Sequence, residues 1–154
     1  MYSGADDSDA HPALYRVDLK NRQVSMLPGT AGLYWGQISP DGRHVVALTE
    51  TTQNLILYDT ASHATRTLAG LADYPVWSGD GRYIYFSTLF FRRPGSGIFR
   101  WELSTGKLNT LAGPPDFPLG GIWGVWFGLT PDGDPLVVRD MSSTDLYALD
   151  VNLP

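Results

Sequence analysis

One four-residue turn, used three times, restricts what this chain can become more than any other feature. It reads Ser39-Pro40-Asp41-Gly42, then Ser78-Gly79-Asp80-Gly81, then Thr130-Pro131-Asp132-Gly133. A large apolar residue precedes each copy (Ile38, Trp77, Leu129), and an apolar run follows it (Val45 to Leu48, Ile84 to Phe86, Leu136 to Val138). Proline presets φ, aspartate bonds its own backbone, and glycine takes the positive-φ position that closes a short loop. Each copy therefore predicts a hairpin between antiparallel strands.

A second marker keeps the same period. Segments ending in an acid recur at Leu14 to Asp18, Leu55 to Asp59, Ile98 to Glu102 and Leu146 to Asp150, the acids lying 41, 43 and 48 residues apart. After the first three acids comes Leu-x-Gly, as Leu27-Pro28-Gly29, Leu68-Ala69-Gly70 and Leu111-Ala112-Gly113. The two markers agree on a repeat of about forty residues holding four short strands, the length of a propeller blade. The second strands are apolar on both faces, as in a sheet sandwiched between two others. No convincing amphipathic helix is present.

The fold class is thus all-β, built of β-propeller blades of four antiparallel strands. Residues 1–12 read as a disordered or linker N-terminus, 13–29 as a partial blade, 34–70 and 73–113 as two complete blades, and 122–151 as a second partial blade. Closed propellers need about four to eight blades. An open arc leaves apolar faces in water, which drives association. The sequence therefore predicts either a piece of a longer propeller or a chain that completes a closed ring by self-association, as a homodimer.

Pro/Gly-Asp-Gly-Arg before an apolar strand, then Leu/Ile-Tyr/Phe-x-apolar-Asp/Glu, then Ser104-Thr105-Gly106-Lys107, resembles the TolB-type, WD-like propeller repeat over residues 13 to 151. The final repeat, from Leu129 to Asp150, is similar to the last repeat of bacterial multidomain proteins that carry such a propeller behind a regulatory domain. The resemblance implies a protein-docking platform, a sensory domain or an enzyme-associated gate.

Composition narrows the function further. Net charge is −5, with no basic cluster beyond Arg92-Arg93, so a nucleic-acid partner is not expected. No run approaches the roughly twenty apolar residues of a membrane span, and residues 1–9 lack the basic and apolar regions of a signal peptide. Compartment stays open. Cysteine is absent, and His11, His44 and His63 are isolated from one another, so no zinc site is expected. Asp132-Gly133-Asp134 and Asp6-Asp7-Ser8-Asp9 offer oxygen ligands without the framework of a calcium loop. Neither a nucleophile elbow nor a phosphate loop or dinucleotide fingerprint occurs, and no cofactor is expected.

Spacing points to where function would sit. From Asp41 to Asp59, Asp80 to Glu102 and Asp132 to Asp150 the separations are 18, 22 and 18 residues, so the second complete blade carries an insertion at 89–97. A further insertion falls at 114–123. Both connection types emerge on one face of a four-stranded blade, so the two loops should be neighbours. Together with the inter-blade segments they offer Tyr34, Trp35, Tyr74, Phe91, Arg92, Arg93, Phe117, Trp123 and Trp126, an aromatic, locally basic surface suited to a peptide, an acidic segment or a carbohydrate. The same aromatics could equally fill space between blades. The turn acids Asp41, Asp80 and Asp132, and the strand-end acids Asp18, Asp59, Glu102 and Asp150, recur with the period and read as architecture. The function expected is a non-enzymatic module for protein–protein interaction or ligand sensing. The alternative is the propeller part of a hydrolase, a peptidase gate or a lactonase- or glycosidase-like domain with its catalytic groups in the channel or on a separate domain.

Overall fold

The computed structural model describes residues 2–4, 11–91, 93–121 and 125–143. Within it the turns close as their residue types dictate. The Ser39 hydroxyl donates to the Asp41 carboxylate (2.7 Å), which also accepts the Arg43 N–H (3.0 Å), while His44 N–H donates to Ser39 Oγ (2.9 Å). Ser78, Asp80, Arg82 and Tyr83 repeat this pattern at 2.7, 3.0 and 3.0 Å. Gly42 and Gly81 take φ of 74° and 71°, where a Cβ is strained. The Ser78 hydroxyl, followed by the Arg82 backbone and guanidinium, holds the Asp80 carboxyl down at about 2. The third turn is tighter: Thr130 exchanges hydrogen bonds with Asp134 (2.9 and 3.0 Å), one residue sooner than its counterparts.

These turns join the first two strands of the second, third and fourth sheets along the chain. The second blade runs β4 (Leu33–Ile38), β5 (His44–Thr49), β6 (Leu55–Asp59) and β7 (Thr65–Ala69), antiparallel in that order. The third repeats it with β8 (Asp73–Trp77), β9 (Tyr83–Ser87), β10 (Ile98–Glu102) and β11 (Leu108–Ala112). In the fourth, β12 (Phe127–Leu129) pairs with β13 (Pro135–Val137), and the third strand expected near 144–151 lies outside the described residues. Strand-end acids close the outer hairpins: Asp59 accepts from Ala61 N–H, Ser62 N–H and the Ser62 hydroxyl, and Glu102 from the Thr105 hydroxyl. Among the described residues the only helical element is the 3-10 turn Leu89–Phe91, and no helix is long and apolar enough to cross a membrane.

The first blade corrects the sequence reading. Besides β2 (Ala13–Val17) and β3 (Val24–Met26), residues Tyr2–Gly4 form β1, which pairs antiparallel with β2. Part of the stretch expected to be a linker is therefore a strand. A three-residue strand has neither the alternation nor the turn residues that announce one in sequence.

Alternation along the middle strands decides the packing. Val45 and Ala47 of β5 join Leu14, Leu33, Ile56 and Tyr58 between the first and second blades. Their neighbours Val46 and Leu48 point the other way, joining Leu55, Leu57, Trp77, Ile84 and Phe86 between the second and third. Tyr85 of β9 then faces Val125 and Phe127 of the fourth. The innermost strands β4, β8 and β12 touch in succession, and Trp77 Nε1 donates across blades to the Gln37 carbonyl (2.9 Å). Truncating Trp77 removes a buried ring and that bond together. Trp77→Ala is expected to lower unfolding free energy by about 3–5 kcal/mol, read from urea midpoints at an unchanged denaturant slope; a loss below about 1 kcal/mol would mean the inter-blade packing is not what holds the arc together.

Candidate functional site

The insertion at 89–97 does not dangle. Thr88 and Gly97 close its base through Thr88 N–H to the Gly97 carbonyl (2.9 Å) and Gly97 N–H to Thr88 Oγ1 (3.0 Å). At the tip, Ser96 N–H donates to the Arg93 carbonyl and Arg93 N–H to the Ser96 hydroxyl, both at 2.9 Å. Leu89 is buried as an anchor, while Phe90 is exposed and meets Phe91 edge-on at 5.4 Å. The second insertion is pinned from the other side. Gly120 N–H donates to Val138 O (2.8 Å) and Asp140 N–H to Pro118 O (2.9 Å), a short ladder beyond β13. This brings the Arg139 guanidinium to 5.5 Å from the Phe117 ring centroid, a cation–π contact.

Between the two loops lies a groove of about 430 Å³, lined by Leu89, Arg93, Ser96, the 114–115 and 117–119 segments, and Val125. A second hollow, against Phe90, Leu119, Arg139, Asp140 and Met141, adjoins it through shared Leu119 and Val125. Its one acid, Asp140, is held low by hydrogen bonds from Ser142. Among the described residues neither Arg93 nor Arg139 is in an ion pair.

A different cluster forms on the innermost strands. Where β4 pairs with β5 the register slips between Tyr34 and Gln37, and where β8 pairs with β9 it slips between Asp73 and Val76. At the slips Trp35 and Tyr74 take φ of +55° and +47°, a strained conformation for bulky side chains. Their rings meet edge to face, 5.2 Å between centroids. Beside them Asp73 is half-buried, and desolvation pushes its carboxyl up to about 6 against the partial offset of the Tyr74 N–H. The same carboxyl, after burial, raises the phenols of Tyr34 and Tyr74.

No protein-family model matches the sequence, and no curated protein is matched by it. Solved structures are matched. TolB from Acinetobacter baumannii superposes with a TM-score of 0.61 at 17% identity over 90% of this chain and 40% of its own. The β-propeller domain of the Trilobed protease from Pyrococcus furiosus gives 0.59 at 13% identity over 94% and 52%, and an oligogalacturonate lyase from Vibrio parahaemolyticus 0.51 at 17% over 70% and 35%. The fold is a TolB-like β-propeller segment. The chain spans well under two thirds of each of these proteins, and identities this low establish the fold alone.

The propeller divides the candidate residues between two places. Arg93 and Phe117 line the groove, with Phe91 in the loop that walls it. Trp35 and Tyr74 form the strained pair, with Tyr34 next to it. Trp126 is exposed, its indole folded over Gly128 so closely that a Cβ there would collide with it. Arg92 and Trp123 lie outside the described residues. Arg139 and Asp73 escaped the sequence reading. A register signal could have found Asp73: Trp35, Tyr74 and Trp126 each stand six residues before a turn aspartate, and Asp73 occupies the preceding position, filled by Tyr34 and Val125 in the other blades.

Asp73 makes a pH prediction. Its folded carboxyl titrates at about 6 against an ordinary value of 3.8, so between those values the folded state holds a proton that the unfolded state releases. Its contribution to stability is therefore full below the lower value and falls as pH rises through about 6. Asp73→Asn is expected to be the more stable protein at neutral pH, its advantage shrinking toward acid pH, as read from paired urea titrations. An advantage that does not change with pH would show that Asp73 is not desolvated.

Proposed function

We propose that this propeller segment is a non-enzymatic binding module that receives an acidic segment of a partner protein in the groove between the 89–97 and 114–121 loops. One observation carries the reading: two hydrogen-bonded loops hold Arg93 and the Arg139–Phe117 pair around a proline- and leucine-lined trough. Prearranged walls spare a ligand the entropy of ordering the site. Arginine beside an aromatic ring is a pairing favoured where carboxylates are recognised. On a chain of net charge −5, two arginines in adjoining hollows also mark where an acidic ligand meets less repulsion.

The test uses a fluorescent peptide library that alternates Asp or Glu with Leu, Pro and Tyr, titrated by anisotropy. Arg139→Glu and Arg93→Glu are each expected to weaken the best binder by about tenfold or more, with folding unchanged by circular dichroism and the loss growing smaller in high salt. Equal binding by the parent and both charge-reversed variants would overturn the reading.

The module includes a second copy of itself. On the first blade the cross-strand pairs Tyr15–Met26 and Val17–Val24 turn one face outward, and Val17, Val24 and Met26 are exposed among the described residues. A sheet face of this kind is the surface a further blade covers in a propeller. Light scattering on a sizing column should give twice the chain mass across a dilution series, and Val24→Lys should halve it. A parent protein of single-chain mass at every concentration removes self-association from the proposal and leaves the groove untouched.

A further inference from the structure

Recurrence separates scaffold from function in a repeat protein, and it does so within the innermost strands. The aromatic six residues before each turn aspartate recurs as Trp35, Tyr74 and Trp126, so an aromatic at that place belongs to the blade design. The residue before it does not recur: it is Tyr34, then Asp73, then Val125. A lone carboxylate is thus set into an aromatic row, half-buried, and among the described residues no basic side chain pairs with it. Ser87 stands opposite it across the strand pair, and the titratable groups facing it are the phenols of Tyr34 and Tyr74, both raised and therefore neutral at physiological pH.

The rings around this acid are placed unusually. Trp35 is 41% exposed, so the strained φ of +55° is not maintained by burying its indole. Tyr74, buried at 9% exposure, meets that indole at 83° and braces it. An exposed, braced indole offers π surface to a cation, and the half-buried carboxylate next in the chain to its brace, whose charge acts on Tyr34 and Tyr74, adds to the attraction. We propose that Trp35, with Tyr74 as its brace and Asp73 as counter-charge, forms a recognition site for an alkylammonium group. A neutral sugar would use the indole but leave the charge of Asp73 uncompensated, and an anion would be repelled by it. The site is distinct from the two-loop groove and does not depend on it.

Tetramethylammonium chloride and methylammonium chloride are the probes, each titrated against sodium chloride at matched ionic strength. The readout is the Trp35 indole N–H resonance, assigned by its disappearance in Trp35→Gly. Glycine accepts the positive φ without strain, so that variant is expected to fold at least as well as the parent. A saturable shift with either ammonium ion, absent with sodium, supports the site, and the tighter of the two tells a quaternary ligand from a lysine-like one. Asp73→Asn should weaken binding by about tenfold, and in the parent binding should fade as pH drops through about 6. The proposal is overturned by a shift that sodium reproduces, by binding that survives Asp73→Asn unchanged, or by no saturable shift at all.

Discussion

The middle strands of the second and third blades must be apolar on both sides, because each of those sheets is covered by another on either face, and the rest of the structure depends on that requirement. Val45 and Ala47 serve one neighbour while Val46 and Leu48 serve the next, so a single strand knits three sheets. A one-residue slip would exchange these sets and leave both interfaces mismatched. The serine- and aspartate-closed turns prevent the slip by setting where β5 and β9 begin. Packing between sheets and chemistry within turns are therefore two halves of one register.

Both candidate sites lie at the margins of that register. The inner strands slip where they carry Trp35 and Tyr74, and the backbone strain there coincides with Asp73, an acid that does not recur from blade to blade. At the loop end, extra residues were accommodated without disturbing a sheet, since Thr88 and Gly97 restore the pairing before β10 starts. The two places differ in charge: arginines at the loops, a carboxylate on the inner strands. A partner spanning both would need acidic and cationic ends, as a peptide chain readily supplies.

Strand order within the four-stranded sheets was readable because the markers, Asp-Gly turns and acid-terminated strands, report local backbone needs that tertiary contacts cannot easily override. The neighbouring placement of the two insertions also followed from counting between those markers. What could not be read was long-range or too short. Tyr2–Gly4 becomes a strand only because β2 offers it an edge. Arg139 reaches Phe117 through a ladder between segments with no sequence signature. Asp73 looks ordinary until the blades are superposed and its position proves unlike the others. The early end of the third turn was likewise hidden, since Thr130-Pro131-Asp132-Gly133 repeats the earlier motif while Asp134 closes it one residue sooner.

The closure of the 89–97 loop carries one more consequence. Gly97 is buried and hydrogen-bonded at its base and Ser96 is buried beneath the tip, whereas Arg93, Pro94 and Gly95 at the tip are exposed. Gly97 must stay glycine, since a Cβ would run into the Ala112 carbonyl, but nothing in the sheets reads the identity of the tip. The loop is thus a cassette: its frame, the positive-φ Gly95 included, is set by the scaffold, while Arg93 and Pro94 are open to diversification, by natural drift or in a display library, at little cost to folding.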